Sequence, residues 1–247
     1  MIKLSERLQA VADLITPGLN VSDVGCDHGY LSIYLMTNGI AKSVIASDVR
    51  KGPLSKAAEN IKIYGLEDKI ELRLSDGLKM IEPGEVDSIV MSGMGGNLMM
   101  ELLDASRDVV DKAKEFILQP QSEVRGLRHY LKDNGFLIVS EAMIYEDNKY
   151  YPMMKAVHDE ANEMNWNREI DFLYGKVLLR EQNPILHQFL ISERDFYVGL
   201  YRDLCCQSPT ENVLERLREV EQSLAYNNEA LELVDSQFAA EIKREIK

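Results

Sequence analysis

The sequence predicts an α/β protein: a mostly parallel, seven-stranded sheet covered by helices, followed by an antiparallel pair of long helices. Three observations carry this reading. Five short β-rich runs are separated by helix-length segments, the spacing of βαβ units and hence of a parallel sheet buried on both faces. Two more strand-like runs follow with only a short turn between them, which closes such a sheet with an antiparallel hairpin. From about residue 184 the apolar residues fall instead at alternate spacings of three and four, the period of packed helices.

Each element has its own signal. Ser5, followed by Leu8, Val11, Ala12 and Ile15, reads as a short amphipathic helix with a serine cap, closed by Pro17 and Gly18. The five runs are NVSDVG (20–25), SVIASD (43–48), KIELRLSD (69–76), VDSIVMSG (86–93) and EFILQP (115–120). The hairpin pair is GFLIVSEAMIYED (135–147) and KYYPMMKAVHD (149–159). Leu186, Phe189, Leu190, Phe196, Leu200 and Leu204 mark the first arm helix. Leu217, Val220, Leu224, Asn227, Leu231, Val234 and Phe238 form the seam of the second, with Asn227 either fixing its register or breaking the stripe. Its start is expected at SPTE, with Ser208 as cap, Pro209 at the first helical position and Glu211 completing a capping box. The chain thus divides into a sheet domain (1–160), a connector (161–183) and a coiled-coil arm (184–247).

Composition narrows the function. At 247 residues with 45% apolar and 28% charged content, the chain suits an ordinary folded domain with an appendage. No apolar stretch approaches the roughly 20 residues that span a bilayer, and the N-terminus lacks a signal-peptide pattern, so a cytoplasmic protein away from membranes is expected. Cys26, Cys205 and Cys206 suit free thiols rather than a disulfide framework. The net charge of −13 argues against an extended basic surface. A polyanion would have to meet local patches, for which Lys42, Arg50, Lys51, Lys56 and Lys62, then Arg125, Arg128 and Lys132, are the candidates; solvated helix faces explain them as well.

DVGCDHGYL (23–31) looks like a nucleotide-holding turn. A dinucleotide fold wants G-x-G-x-x-G, whose second glycine admits a diphosphate. Here Asp27 stands at that position, and its carboxylate repels a diphosphate and tolerates a cation. S-adenosylmethionine, with a sulfonium, an amino group and no phosphate, fits better than a nicotinamide dinucleotide. Asp48 ends the second strand, placed to accept from a ribose diol, and Asp76 with Gly77 ends the third, where an adenine ring would lie. Each acid alone is weak, because strand-end aspartates are commonly turn formers; three at successive strand ends are not. Cys26 reads as a small filler of the same turn rather than a nucleophile. His28, His129, His158 and His187 show no metal-ligand spacing, and no metal is expected. SGMGG (92–96), after the fourth strand, lets a flat base or a methionine tail approach the backbone, with Met94 as a polarisable contact. LQPQ (118–121) puts the amides of Gln119 and Gln121 at the same edge.

Taken in order, DVGCDHGYL, SDV, SDGL, SGMGG, LQPQ and KYY, followed by an antiparallel helical arm, resemble the bacterial tRNA (adenine-22-N1)-methyltransferase family over the whole chain. The resemblance implies a Rossmann-like class I methyltransferase domain, S-adenosylmethionine as donor, N1 of adenine 22 in tRNA as acceptor, and a coiled coil that helps hold the tRNA. It implies a donor pocket lined by Gly25, Cys26, Asp27, His28, Gly29, Asp48, Val49, Asp76, Gly77, Gly93 and Met94. Gly95, Gln119, Gln121, Arg50, Arg125 and Arg128 are expected on the substrate side. Many family members carry Asn where this chain has Gln121, which keeps the amide. Adenine N1 needs no prior deprotonation, but its methylated form is cationic with an acidified amino group, so a carboxylate nearby is useful and Asp27 is the catalytic candidate.

A monomer is expected, with the arm as the surface for any dimer. On the residues alone two other readings stay open: a small-molecule methyltransferase that uses the arm as lid or dimer interface, and a non-catalytic donor-binding scaffold that recruits a protein through the arm.

Overall fold

The computed structural model describes residues 2–161 and 163–235, which fall into two compact units, Met1–Asn165 and Trp166–Lys247. The first opens with α1 (Glu6–Leu14), where the Ser5 hydroxyl accepts from Leu8 N at 3.3 Å, the expected cap. Then come β1 (Asn20–Val24), α2 (Tyr30–Thr37), β2 (Ser43–Asp48), α3 (Lys51–Ile63), β3 (Ile70–Leu74), β4 (Ser88–Gly95), α4 (Gly96–Ala105), the single turn α5 (Arg107–Val110), β5 (Glu115–Ser122), α6 (Val124–Asp133), β6 (Phe136–Glu146) and β7 (Lys149–His158).

The seven strands form one sheet in the order β3-β2-β1-β4-β5-β7-β6. β1 to β5 pair in parallel, and β7 runs antiparallel to both β5 and β6. The chain winds outward from β1 through β2 to β3, then returns to lay β4 and β5 on the other side. Such a reversal opens a crevice at the carboxyl ends of β1 and β4. Alternate strand residues explain the burial on both faces. Val90 and Ile117 join α1, α2 and α3 in one core cluster. Their neighbours Ile89, Met91, Phe116 and Leu118, pointing the other way, are equally buried, where α4 and α6 pack together and against β4, β5 and β6.

Two strands run further than expected. β4 continues past Gly93 to Gly95, and β5 past Pro120 to Ser122, because the two strands continue to pair past Ser92, with register shifts on either side of Met94. Gly93, at φ +80°, supplies the left-handed residue this bulge needs.

The second unit is more than the expected connector and arm. Ile170, Phe172, Val177, Leu178 and Leu179 are buried in it, carried by a π-helical turn (Asp171–Gly175) and α7 (Lys176–Arg180). α8 (Pro184–Cys205) is capped by Asn183, and α9 (Glu211–Val234) by Thr210 rather than Ser208. The Thr210 hydroxyl accepts from Val213 N at 3.4 Å, which leaves Pro209 outside the helix. Gln182, just before α8, bonds to Leu233 near the end of α9, and bonds between the helices join Leu190 to Asn227 and Tyr201 to Glu221, so the two run in opposite directions. Val220, Asn227 and Leu231 of the seam are buried; Phe196 is exposed. Phe238 lies outside the described residues.

Candidate functional site

A cleft of about 570 Å³ opens in the first unit at the ends of β1 to β4. Its floor is the β1–α2 turn. Gly25, at φ +74°, turns the chain there, and a Cβ on it would collide with the Met94 methyl group, so the turn and the β4 bulge lie against each other. Cys26 N and Gly25 N both donate to Ser47 O, which fixes the turn to β2. Asp27 follows with φ +49°, a conformation that aspartate tolerates better than most residues.

Most of the residues expected to hold a donor meet in this cleft. Gly25, Cys26, Asp27 and His28 line one part, Asp48, Val49 and Arg50 another, and Asp76, Gly77, Gly93, Met94 and Gln121 the rest. Asp48 is buried and accepts from Arg50 N at 2.8 Å, with Arg50 Nε 3.6 Å from the same oxygen. Asp27 is largely exposed and stands 3.6 Å from His28 Nε2. Asp76 pairs with Lys79 at the rim. Cys26 is buried, and burial with the neighbouring carboxylates of Asp23 and Asp48 pushes its thiol far up, so it stays protonated and is no nucleophile.

Five expected residues do not line it. Gly29 starts α2 and faces Ala57 of α3. Gly95 caps α4 against Ser122. Arg125 is exposed on α6. Arg128 is 1% exposed and donates to Glu141 from Nε and Nη2 at 2.9 Å; it holds α6 to β6 and offers nothing to a polyanion. Gln119 is fully buried, its Oε1 accepting from Gly93 N at 3.1 Å and its Nε2 donating to Pro120 O, so its amide shapes the bulge instead of facing a substrate.

The sequence reading missed Asp23 and Arg7. Asp23 lines the floor; burial raises its pKa to about 6, against the Ser32 hydroxyl that donates to it at 2.6 Å. Its signal was a carboxylate within the strand-like run NVSDVG, two residues before the turn at Gly25. Arg7 reaches the cleft from α1. Leu8 and Val11 of that helix, with Leu4 before it and Ile15 at its end, form an inward stripe, and residue 7 lies beside it: a cation at the edge of an apolar face was the available sign.

The lining therefore carries the carboxylates of Asp23, Asp27, Asp48 and Asp76 against the guanidinium groups of Arg7 and Arg50. Such a site favours a ligand with positive charge and a diol, and disfavours a diphosphate.

Comparison with known proteins agrees. A family model described as a methyltransferase domain matches residues 4–154. The chain is 30% identical over 233 residues to the curated tRNA (adenine(22)-N(1))-methyltransferase of Bacillus subtilis, covering 94% of this chain and 98% of that one. The crystal structure of the B. subtilis tRNA methyltransferase TrmK matches with a TM-score of 0.82 at 30% identity, over 95% of this chain and all of the other. Streptococcus pneumoniae Sp1610, described by the same activity and solved in complex with S-adenosyl-L-methionine, matches with a TM-score of 0.81 at 31% identity over 93% of this chain. With a methyltransferase-domain match across most of the first unit and a relative aligned over nearly its whole length, this chain belongs to the family of tRNA (adenine-22-N1)-methyltransferases.

Proposed function

We propose that this protein transfers a methyl group from S-adenosylmethionine to N1 of adenine 22 in tRNA. The observation that carries the reading is the row of strand-end acids in one cleft: Asp23 at β1, Asp48 at β2 and Asp76 beyond β3. Asp23 is buried with a raised pKa, so it gains from a cationic ligand. The donor supplies the reactive methyl on a sulfonium. Asp48 accepts from its ribose diol, Val49, Asp76 and Gly77 surround its adenine, and the Gly25–Met94 contact admits its methionine end close to the backbone. Gly93, Met94 and Gln121 then bound the space for the acceptor.

The protein's task is alignment and exclusion of water, since an in-line displacement asks for reacting atoms about 3 to 3.5 Å apart. Adenine N1 already has its lone pair. Positive charge leaves the donor and appears on the acceptor base, and the exposed carboxylate of Asp27 stabilises that charge or takes the amino proton. A stacked base must first be extruded, at a cost of about a few kcal/mol. We assign to α8 and α9 a grip on the tRNA body that offsets this, to Arg50 and Arg125 contacts with phosphates, and to the protein a monomeric, cytoplasmic working state. Among the described residues no helix is long and apolar enough to cross a membrane.

The test is incubation with labelled S-adenosylmethionine and two unmodified tRNA transcripts, one with adenine and one with guanine at position 22. Label is expected in the adenine transcript alone. Asp27→Asn is expected to lower kcat by about 10²-fold with little change in donor KM. Label in neither transcript from a protein that binds the donor would refute the reading.

A further inference from the structure

Arg7 is a cation in an acidic cleft that no ion pair among the described residues engages. Among the described residues no carboxylate lies within ion-pair distance of it, whereas Arg50 is engaged by Asp48 and His28 by Asp27. Its Nη1 donates to two neutral acceptors, Gln119 Oε1 at 2.8 Å and Ser92 Oγ at 3.2 Å. Its guanidinium carbon stands 5.5 Å from the centroid of the Tyr151 ring. Gln119 is itself fully buried and locked by Gly93 N and Pro120 O. The guanidinium is therefore held from two sides before any ligand arrives, and of its five N–H donors only those on Nη1 are used by these contacts.

We propose that Arg7 receives the carboxylate of the donor's methionine end. The inference rests on the reading of this cleft as a donor site and adds the residue that recognises the donor's only anionic group. Position along the sheet argues for it. Strands lie about 4.8 Å apart, so the edge from β3 to β4 runs about 14 Å. Asp76 and Gly77 follow β3, Asp48 ends β2, and Arg7 contacts Ser92 of β4 and Gln119 of β5. A donor laid with its adenine by β3 and its ribose by β2 ends with its amino acid at β1 and β4. There a zwitterion meets Asp23 for its ammonium and Arg7 for its carboxylate. The KYY run gains a role as well: Tyr151 is the ring on which the guanidinium rests. A carboxylate fits the planar fork of an arginine through two parallel hydrogen bonds, which a lysine cannot reproduce.

Calorimetric titration of the full chain with two ligands tests this without any tRNA: S-adenosylhomocysteine, which carries the amino acid end, and 5′-methylthioadenosine, which lacks it. Arg7→Gln is expected to weaken S-adenosylhomocysteine about tenfold or more and to leave 5′-methylthioadenosine within about twofold of wild type, with Arg7→Lys in between. Equal loss for both ligands would mean that the variant distorts the cleft, and would overturn the contact. Unchanged S-adenosylhomocysteine affinity would overturn it too; a raised KM for tRNA alongside would assign Arg7 to an RNA phosphate instead. Wild-type protein that binds S-adenosylhomocysteine but methylates no tRNA would sink the proposed acceptor and leave this inference standing.

Discussion

At the scale of single residues, the acids of the cleft divide by environment. Asp27 is exposed and available to solvent and substrate, whereas Asp23 is buried and its carboxyl holds a proton up to about pH 6 in the folded protein, compared with 3.8 in an ordinary setting. Between those values the folded state binds more protons than the unfolded chain. Stability contributed by this group is therefore present at low pH and lost as pH rises from about 4 to about 6. A shift of that size is worth about 3 kcal/mol at neutral pH, the cost of keeping a charged carboxylate in a dry floor. Asp23→Asn keeps the shape and removes the charge. The ligand-free variant is expected to melt about 5 °C above wild type near pH 7, with the gain gone near pH 4. It is also expected to bind S-adenosylhomocysteine more weakly, because the carboxylate that destabilised the empty protein is the one an ammonium ion relieves. Scanning calorimetry at the two pH values reads the first effect; a lower melting temperature near pH 7 would contradict it.

At the scale of elements, sequence periodicity identified what local chemistry determines and failed where distant pairing decides. Ser5 capped α1 as expected because its partner, Leu8 N, is three residues away. Met94 and Gly95, beyond the expected strand end at Gly93, were legible as part of a glycine-rich run but not as strand, since it is β5, more than twenty residues on, that keeps them extended. Arg128 looked like a surface cation because nothing nearby announced Glu141. Asn227 was open between two readings, and its environment decides between them. It is buried, and its Nδ2 donates at 2.9 Å to both Leu190 O and Glu193 Oε2, which also accepts from the Tyr174 hydroxyl. Its Oδ1 is buried with no hydrogen-bond partner among the described residues, so only the registers that bring Leu190 O and Glu193 to its Nδ2 are open to it: a single polar residue at one position of a seam sets the register. Asn227→Asp, nearly the same in shape, replaces the donor to Glu193 with a second carboxylate. The second unit is then expected to lose about 2 kcal/mol or more at neutral pH, and to recover as acidification protonates one of the pair. Thermal melts followed by circular dichroism at neutral and at acidic pH check this. Equal destabilisation at both would mean that packing, not charge, is what Asn227 supplies.

At the scale of the whole molecule, a chain of net charge −13 must dock on a polyanion. Asp27, Asp48 and Asp76 of the cleft were readable in the sequence because they follow one another in chain order beyond successive strands, whereas Asp23, inside β1, was not. The anion-facing half of the site was not either, because Arg7, Gln119 and Tyr151 come from α1, β5 and β7 and meet only in the fold. The same charge balance bounds the RNA interface. Every carboxylate near the contact opposes phosphate; of the candidate cations Arg128 is buried, and the proposal assigns phosphate contacts to Arg50 and Arg125. Each phosphate neutralised releases counterions, so affinity falls with salt in proportion to the number of contacts. Two or three contacts predict a loss of about 10- to 50-fold in tRNA affinity between about 50 and 200 mM salt, against the 10³-fold or more of a broad basic face. Recognition must then come mainly from RNA shape and from the extruded adenine. Fluorescence anisotropy with labelled tRNA across that salt range gives the slope directly. A shallow slope retained in Arg125→Gln would remove that residue from the interface. A steep one would show that tRNA meets many more cations than Arg50 and Arg125, and so that shape is not what carries recognition.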